Sequence, residues 1–122
     1  MPVNMSVAWE SFAELGVAMP KQEVVNKSPT VNTAGVADTG CTVLCGGLDT
    51  MRKLKIPQGA LIKSSINLYC ADRRPLTVLG AIPVDVTVRG SLTNTTRQLL
   101  HIVSELSALF ISKTCLQELN II

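Results

Sequence analysis

The sequence predicts a small, mainly β domain carrying one or two short helices, and three observations predict it. Its 122 residues are 47% hydrophobic and 16% charged, enough apolar material for one core and too little for two. Through most of residues 62–103 apolar side chains recur at every second position, the period of a strand with one buried face. Polar or Gly-bearing turns at 71–75 and 90–94 cut that pattern into separate strands.

From the amino terminus, Val7, Ala8, Phe12 and Leu15 give residues 6–15 the spacing of one amphipathic helix. Residues 19–31 are rich in Pro, Lys, Asn and Ser and read as a connector. Residues 1–28 are therefore expected to be a leader or linker, partly helical, and residues 29–122 the folded domain. Residues 33–37 form a strand of small apolar residues, suited to burial, that leads into Asp38. Leu48, Met51, Leu54 and Ile56 make the apolar face of a short helix over 49–54, which Pro57-Gln58-Gly59 breaks.

Ile62, Ser64, Ile66, Leu68 and Cys70 alternate with Lys63, Ser65, Asn67 and Tyr69, predicting a half-buried strand. Residues 76–88 predict a long strand interrupted at Gly80 and Pro83; a proline has no N–H for a central ladder, so a bulge or an edge is expected there. Residues 97–103 and 108–111 predict two more strands, and Ser112 caps a last helix over 113–119.

Composition excludes several functions. Aromatic residues are 3% of the chain and the net charge is only +2, with no basic block beyond Arg52-Lys53 and Arg73-Arg74, so neither nucleic acid nor a membrane surface is an expected partner. No apolar run approaches the roughly 20 residues of a membrane span. Residues 1–20 contain Glu10 and Glu14 and lack the pattern of a signal peptide, which predicts an intracellular, cytoplasmic setting. There Cys41, Cys45, Cys70 and Cys115 stay reduced. With no C-x-x-C pair and a single histidine, His101, inside a predicted strand, the cysteines read as buried small hydrophobes rather than zinc ligands. No metal or organic cofactor is implied. The sequon Asn94-Thr95-Thr96 has meaning only in a secreted chain.

Asp38-Thr39-Gly40 is the stretch that points to chemistry. An acid placed between two apolar runs costs several kcal/mol to bury unless hydrogen bonds or a change of protonation offset it. Gly40 frees the backbone to approach that acid. The same three residues also make an ordinary turn.

The surrounding segments decide between these. Val36-Ala37-Asp38-Thr39-Gly40-Cys41, then Leu68-Tyr69-Cys70-Ala71-Asp72 with Leu76-Thr77-Val78-Leu79-Gly80, then Leu109-Phe110-Ile111-Ser112 with Leu116-Gln117-Glu118-Leu119, resemble a retropepsin-like aspartic protease domain. The resemblance is strongest to the protease segment of gypsy-type retrotransposon polyproteins and covers most of residues 29–122. It implies a small closed β-barrel with one flap hairpin, acting as a homodimer that cleaves an extended peptide within its own polyprotein. It implies Asp38 as the catalytic acid, Thr39 and Gly40 as supports of the active-site loop, and a flap over 69–79 whose Ala71, Asp72 and Arg73 contact substrate. Without such a role the same tip is an exposed turn.

This chain departs from the family at Cys41, where Ala or Ser is usual, and at Ser112, where Gly is usual. Retropepsins also continue past the terminal helix into a strand that interleaves with the partner's, so the resemblance places this chain within a larger polyprotein. Against the endopeptidase stand a catalytically inactive dimerising or peptide-binding module, a relic of the same element, and an unrelated β domain in which residues 38–40 merely turn.

Overall fold

Val3, Met5 and Val7 alternate with Asn4 and Ser6, and in the computed structural model, which describes residues 1–69, 73–91 and 93–121, that alternation is a strand, β1 (Pro2–Val7). The remaining elements are α1 (Ser11–Glu14), α2 (Gln22–Asn26), β2 (Val31–Ala37), β3 (Cys45–Gly46), α3 (Leu48–Lys53), a 3-10 turn (Gln58–Ala60), β4 (Val78–Val88), β5 (Thr95–Val103), β6 (Leu109–Ile111) and α4 (Lys113–Glu118). The strands close a barrel in the order β1-β2-β6-β3-β5-β4. The small mainly β barrel with few short helices is the predicted fold class.

The structure differs from the sequence reading over residues 1–28. Instead of standing outside the domain, β1 lies between β2 and β4, pairing Met5 with Val31 on one side and with Val86 on the other. Val3 and Met5 are fully buried in the barrel. The helical spacing from Val7 to Leu15 is realised only as the single turn α1, because Val7 and Ala8 belong to the strand and its exit. The connector carries α2 and is tied down: Trp9 Nε1 donates to Ser28 Oγ at 2.8 Å, and Ser28 donates in turn to the Val24 carbonyl. Trp9 and Phe12, their ring centroids 5.3 Å apart, close that end of the core.

β2 also differs. Of the expected buried run only Gly35 is buried, and Val36 is 48% exposed. Residues 62–69 keep their predicted alternation of half-buried and exposed side chains but form no regular strand. Their strand pairing is confined to single bridges, Ile62 with Ala81 and Tyr69 with Pro75. Side-chain alternation records which face is covered; the ladder needs a neighbouring backbone as well.

The two breakers of β4 have distinct explanations. At Gly80 the register against β5 slips by one residue, with φ at +153°. A Cβ there would stand 2.7 Å from Leu61 Cβ, so the bulge and the close approach of Leu61 both require glycine. Pro83 sits one residue beyond the end of the β1 ladder, and its carbonyl accepts from Ala8 N at 2.8 Å. On β5, Arg97 faces Asp85 across the sheet and donates to both its carboxylate oxygens at 2.8 and 3.0 Å. It also reaches Glu10 at 2.5 Å, tying β4 and β5 to the segment leading into α1.

Gly47 holds α3 against the loop after β5. A Cβ on Gly47 would lie 2.0 Å from the Leu106 carbonyl oxygen, a backbone atom that cannot swing aside. Gly47→Ala is expected to lose ~1–3 kcal/mol in urea unfolding. Gly59→Ala, where no atom lies within 4 Å of the added Cβ, should stay within ~0.5 kcal/mol of the parent.

Candidate active site

β2 runs parallel to β6, with Gly35, Val36 and Ala37 opposite Leu109, Phe110 and Ile111. The ladder continues one residue further: Asp38 N donates to the Ile111 carbonyl at 3.0 Å. Beyond it the chain turns sharply. Gly40 N donates to Asp38 Oδ1 at 2.9 Å, and Cys41 N to the Asp38 carbonyl at 3.1 Å. Two hydrogen bonds thus fix the Asp38 carboxylate's loop from within, and a third anchors it from outside, since Lys113 N donates to the Cys41 carbonyl at 3.4 Å. Ser112, buried at the start of α4, caps that helix by accepting from Cys115 N at 3.2 Å. The apolar run before Ser112 and the Asp-Thr-Gly turn, 70 residues apart in sequence, form one support.

Asp38 opens onto a cleft of about 510 Å³ lined by Gly40, Cys41, Cys45, Tyr69, Leu76, Leu106 and Phe110 as well. Two other clefts, about 450 and 300 Å³, lie beside α2 and beside His101, and among the described residues no carboxylate lines them. A mostly apolar cleft with one carboxylate, its backbone rigidly held, can bind an extended peptide and present an acid to it.

Of the residues that the resemblance singles out, the structure brings Asp38 and Gly40 to the cleft. Thr39 is exposed, and among the described residues its hydroxyl has no partner. Ala71 and Asp72 lie outside the described residues. Arg73 is exposed, with φ at +67°; nearby, Leu76 N donates to the Leu68 carbonyl at 2.8 Å and Tyr69 bridges to Pro75. Tyr69 and Leu76 reach the cleft, as do Cys45, Leu106 and Phe110. Tyr69 and Leu76 fall within the flap that the resemblance puts over 69–79; sequence reasoning missed Cys45, Leu106 and Phe110, for which no local pattern gives a signal.

The cysteines divide by place. Cys115 is buried under β5, where burial and the nearby Glu118 push its thiol up to about 11. Cys45, buried in β3, is pushed up to about 12, chiefly by burial and then by Cys41. His101, paired with Cys45 across the parallel β3–β5 ladder, is also buried. Burial lowers its pKa, while the Leu99 and Leu44 backbones pull the other way, and its Nδ1 has no hydrogen-bond partner among the described residues.

A depressed histidine pKa has a definite linkage. Its stabilising contribution is complete above the ordinary value of 6.5 and is lost as pH falls towards the folded value, because the unfolded chain takes up the proton first. The melting temperature of the protein should therefore drop between about pH 7.5 and about pH 5.5, a range in which ordinary carboxylates do not titrate. His101→Gln should flatten that slope, whatever it does to stability at the upper end. An unchanged slope would remove His101 as its source.

No family model matches this chain, and no match to a curated protein was found. Among solved structures, that of EIAV protease complexed with the inhibitor HBY-793 superposes with a TM-score of 0.54 at 13% identity. The alignment covers 84% of this chain and 95% of that one. The barrel is therefore a retropepsin-like fold, that of a retroviral aspartic protease.

Proposed function

We propose that the protein is an aspartic endopeptidase, active as a homodimer, that hydrolyses peptide bonds of an extended segment of its own polyprotein. The observation that carries this reading is Asp38, bonded to the Gly40 amide and lining a mostly apolar cleft of about 510 Å³ in a retropepsin-like barrel.

Hydrolysis by carboxylates alone needs two of them, one to take a proton from water and one to give a proton to the scissile carbonyl. Asp38 is the one carboxylate among the described residues that line the cleft. A two-fold axis beside it would supply the second from another copy. Two carboxylates about 3 Å apart do not both ionise, so the pair would share one proton and titrate as a unit. The exposed surface beside Asp38 fits such an axis. Val36 and Ala37 on β2 are exposed apolar residues, and in this reading the exposed Thr39 hydroxyl bonds across the axis.

In this reading the base draws a proton from a water lying between the two Asp38 carboxylates. The water attacks the carbonyl and the acid protonates its oxygen. The carboxyl that took the water's proton then gives it to the amide nitrogen, the C–N bond breaks, and a hydroxyl proton of the intermediate returns to the other carboxylate as the acid product forms. The paired segments around residues 69–76 serve as the flap, with Tyr69 and Leu76 closing over the peptide and excluding water.

Sedimentation equilibrium at micromolar concentration, run on the parent and on Asp38→Asn, tests the assembly. Hydrolysis of a peptide library by the same two samples tests the chemistry. Dimers of both, with cleavage by the parent alone and best at mildly acidic pH, are expected; Asp38→Asn removes both carboxylates of the pair and should lower the rate by at least about 10³-fold. A parent that stays monomeric and cleaves nothing would overturn the proposal. Peptide binding without cleavage, equal in the two forms, would make the domain a binding module.

A further inference from the structure

Two of the residues in the cleft wall have a chemistry that hydrolysis by Asp38 does not use. Cys41 Sγ and Cys45 Sγ stand 3.5 Å apart, and both line the cleft that Asp38 opens onto. We propose that Cys41 and Cys45 are an oxidisable dithiol in the wall of this cleft, converted by peroxide to an intramolecular disulfide that a thiol reductant reverses.

The two sulfurs are unequal in a way that suits this. Cys41 is half-buried, on the turn after Asp38, where the chain is in no ladder. Its thiol donates to the Val43 carbonyl at 2.9 Å, a bond that a side-chain rotation exchanges for another contact. Cys45 is buried and rigid, paired with His101 on β5 and with Phe110 on β6. Closing the gap to the roughly 2.05 Å of an S–S bond needs about 1.5 Å of movement. Rotation of the half-buried Cys41 side chain can supply it. Its thiol is the one a small oxidant reaches first, while burial keeps the Cys45 sulfur protonated until it is used.

The steps balance without any group that the protein lacks except the oxidant. The Cys41 thiolate attacks one oxygen of hydrogen peroxide, the O–O bond breaks, and a sulfenic acid and hydroxide result. The Cys45 sulfur then attacks the sulfenic sulfur, the S–O bond breaks, and the departing oxygen leaves as water with the Cys45 proton. In sum, two thiols are oxidised to one disulfide while one peroxide is reduced to two waters. Dithiothreitol returns both thiols by exchange.

The consequence for activity rests on the protease reading above. Drawing Cys41 towards β3 pulls on the turn that holds Asp38, because the Cys41 amide is bonded to the Asp38 carbonyl and the Cys41 carbonyl to Lys113 N. A misplacement of about 1 Å in a catalytic group costs up to about 100-fold in rate.

The test exposes the full chain, Asp38→Asn, Cys41→Ala and Cys45→Ala to hydrogen peroxide, blocks free thiols with iodoacetamide, and maps the products by peptide mass. Expected is a link between residues 41 and 45 in the first two proteins, its absence from both cysteine variants, and recovery of two alkylatable thiols after dithiothreitol. Cys41 ending as a sulfinic acid with Cys45 still alkylatable, or a disulfide through Cys70 or Cys115 instead, would overturn the assignment. This readout needs no proteolytic activity, so it separates failure of the dithiol from failure of the protease. Where the parent cleaves peptides, oxidation should lower its rate at least about tenfold and reversibly; a linked protein cleaving at full rate would overturn the coupling to the active site.

Discussion

One hydrogen bond, from the Asp38 amide to the Ile111 carbonyl, is the point on which the architecture of the cleft turns. It extends the parallel β2–β6 ladder by one residue past β2 and so sets where the acid emerges. Two features depend on it. Below, β6 must run close beneath β2, and at Gly35 a Cβ would meet Ile111 Cδ1 at 2.5 Å, so this approach uses the smallest residue. Behind, Ser112 and Lys113 must start a helix at once, which brings the Lys113 amide to the Cys41 carbonyl. The Asp-Thr-Gly turn is thus held by the rest of the barrel, and its own two internal hydrogen bonds refine a position already determined from outside.

Much of the fold was legible in the sequence where one face of an element carries the whole signal. α3, β4, β5, β6 and the Ser112-capped α4 lie within a residue or two of where periodicity and capping put them. β1 was legible too, through Val3, Met5 and Val7, but the helical spacing of Val7, Phe12 and Leu15 overlaps it and masked the strand. Residues 62–69 show the reverse fault: their alternation is real, yet among the described residues a single bridge, Ile62 with Ala81, pairs them with a barrel strand. Pattern reports what a side chain faces. It does not report whether a backbone lies 5 Å away to receive the hydrogen bonds.

The candidate site divides the same way. Asp38 and Gly40 are neighbours in sequence, and the reason for the glycine, an amide bonded to the carboxylate beside it, is local. The opposite walls are not local. Tyr69 and Leu76 come from one segment, Leu106 and Phe110 from another, and their meeting over Asp38 is a product of barrel closure. The Cys41–Cys45 contact was hidden for a different reason. A spacing of four residues fits a helix face, a metal loop or nothing, and only the turn after Asp38 brings the two sulfurs together.

The place of β1 between β2 and β4 bears on how the barrel comes to exist. β1 emerges first from a ribosome, and β2 can pair with it early, Met5 against Val31. Its other edge stays unsatisfied until Val84 to Val88 have been made, some 80 residues later. Until then a strand with buried Val3 and Met5 has one bare edge and an uncovered apolar face. Pairings of such long sequence separation are slow to form, and open edges invite pairing with other chains. Any longer chain that contains this domain therefore finishes it late, and carries through synthesis an incomplete sheet that neighbouring segments must not fill.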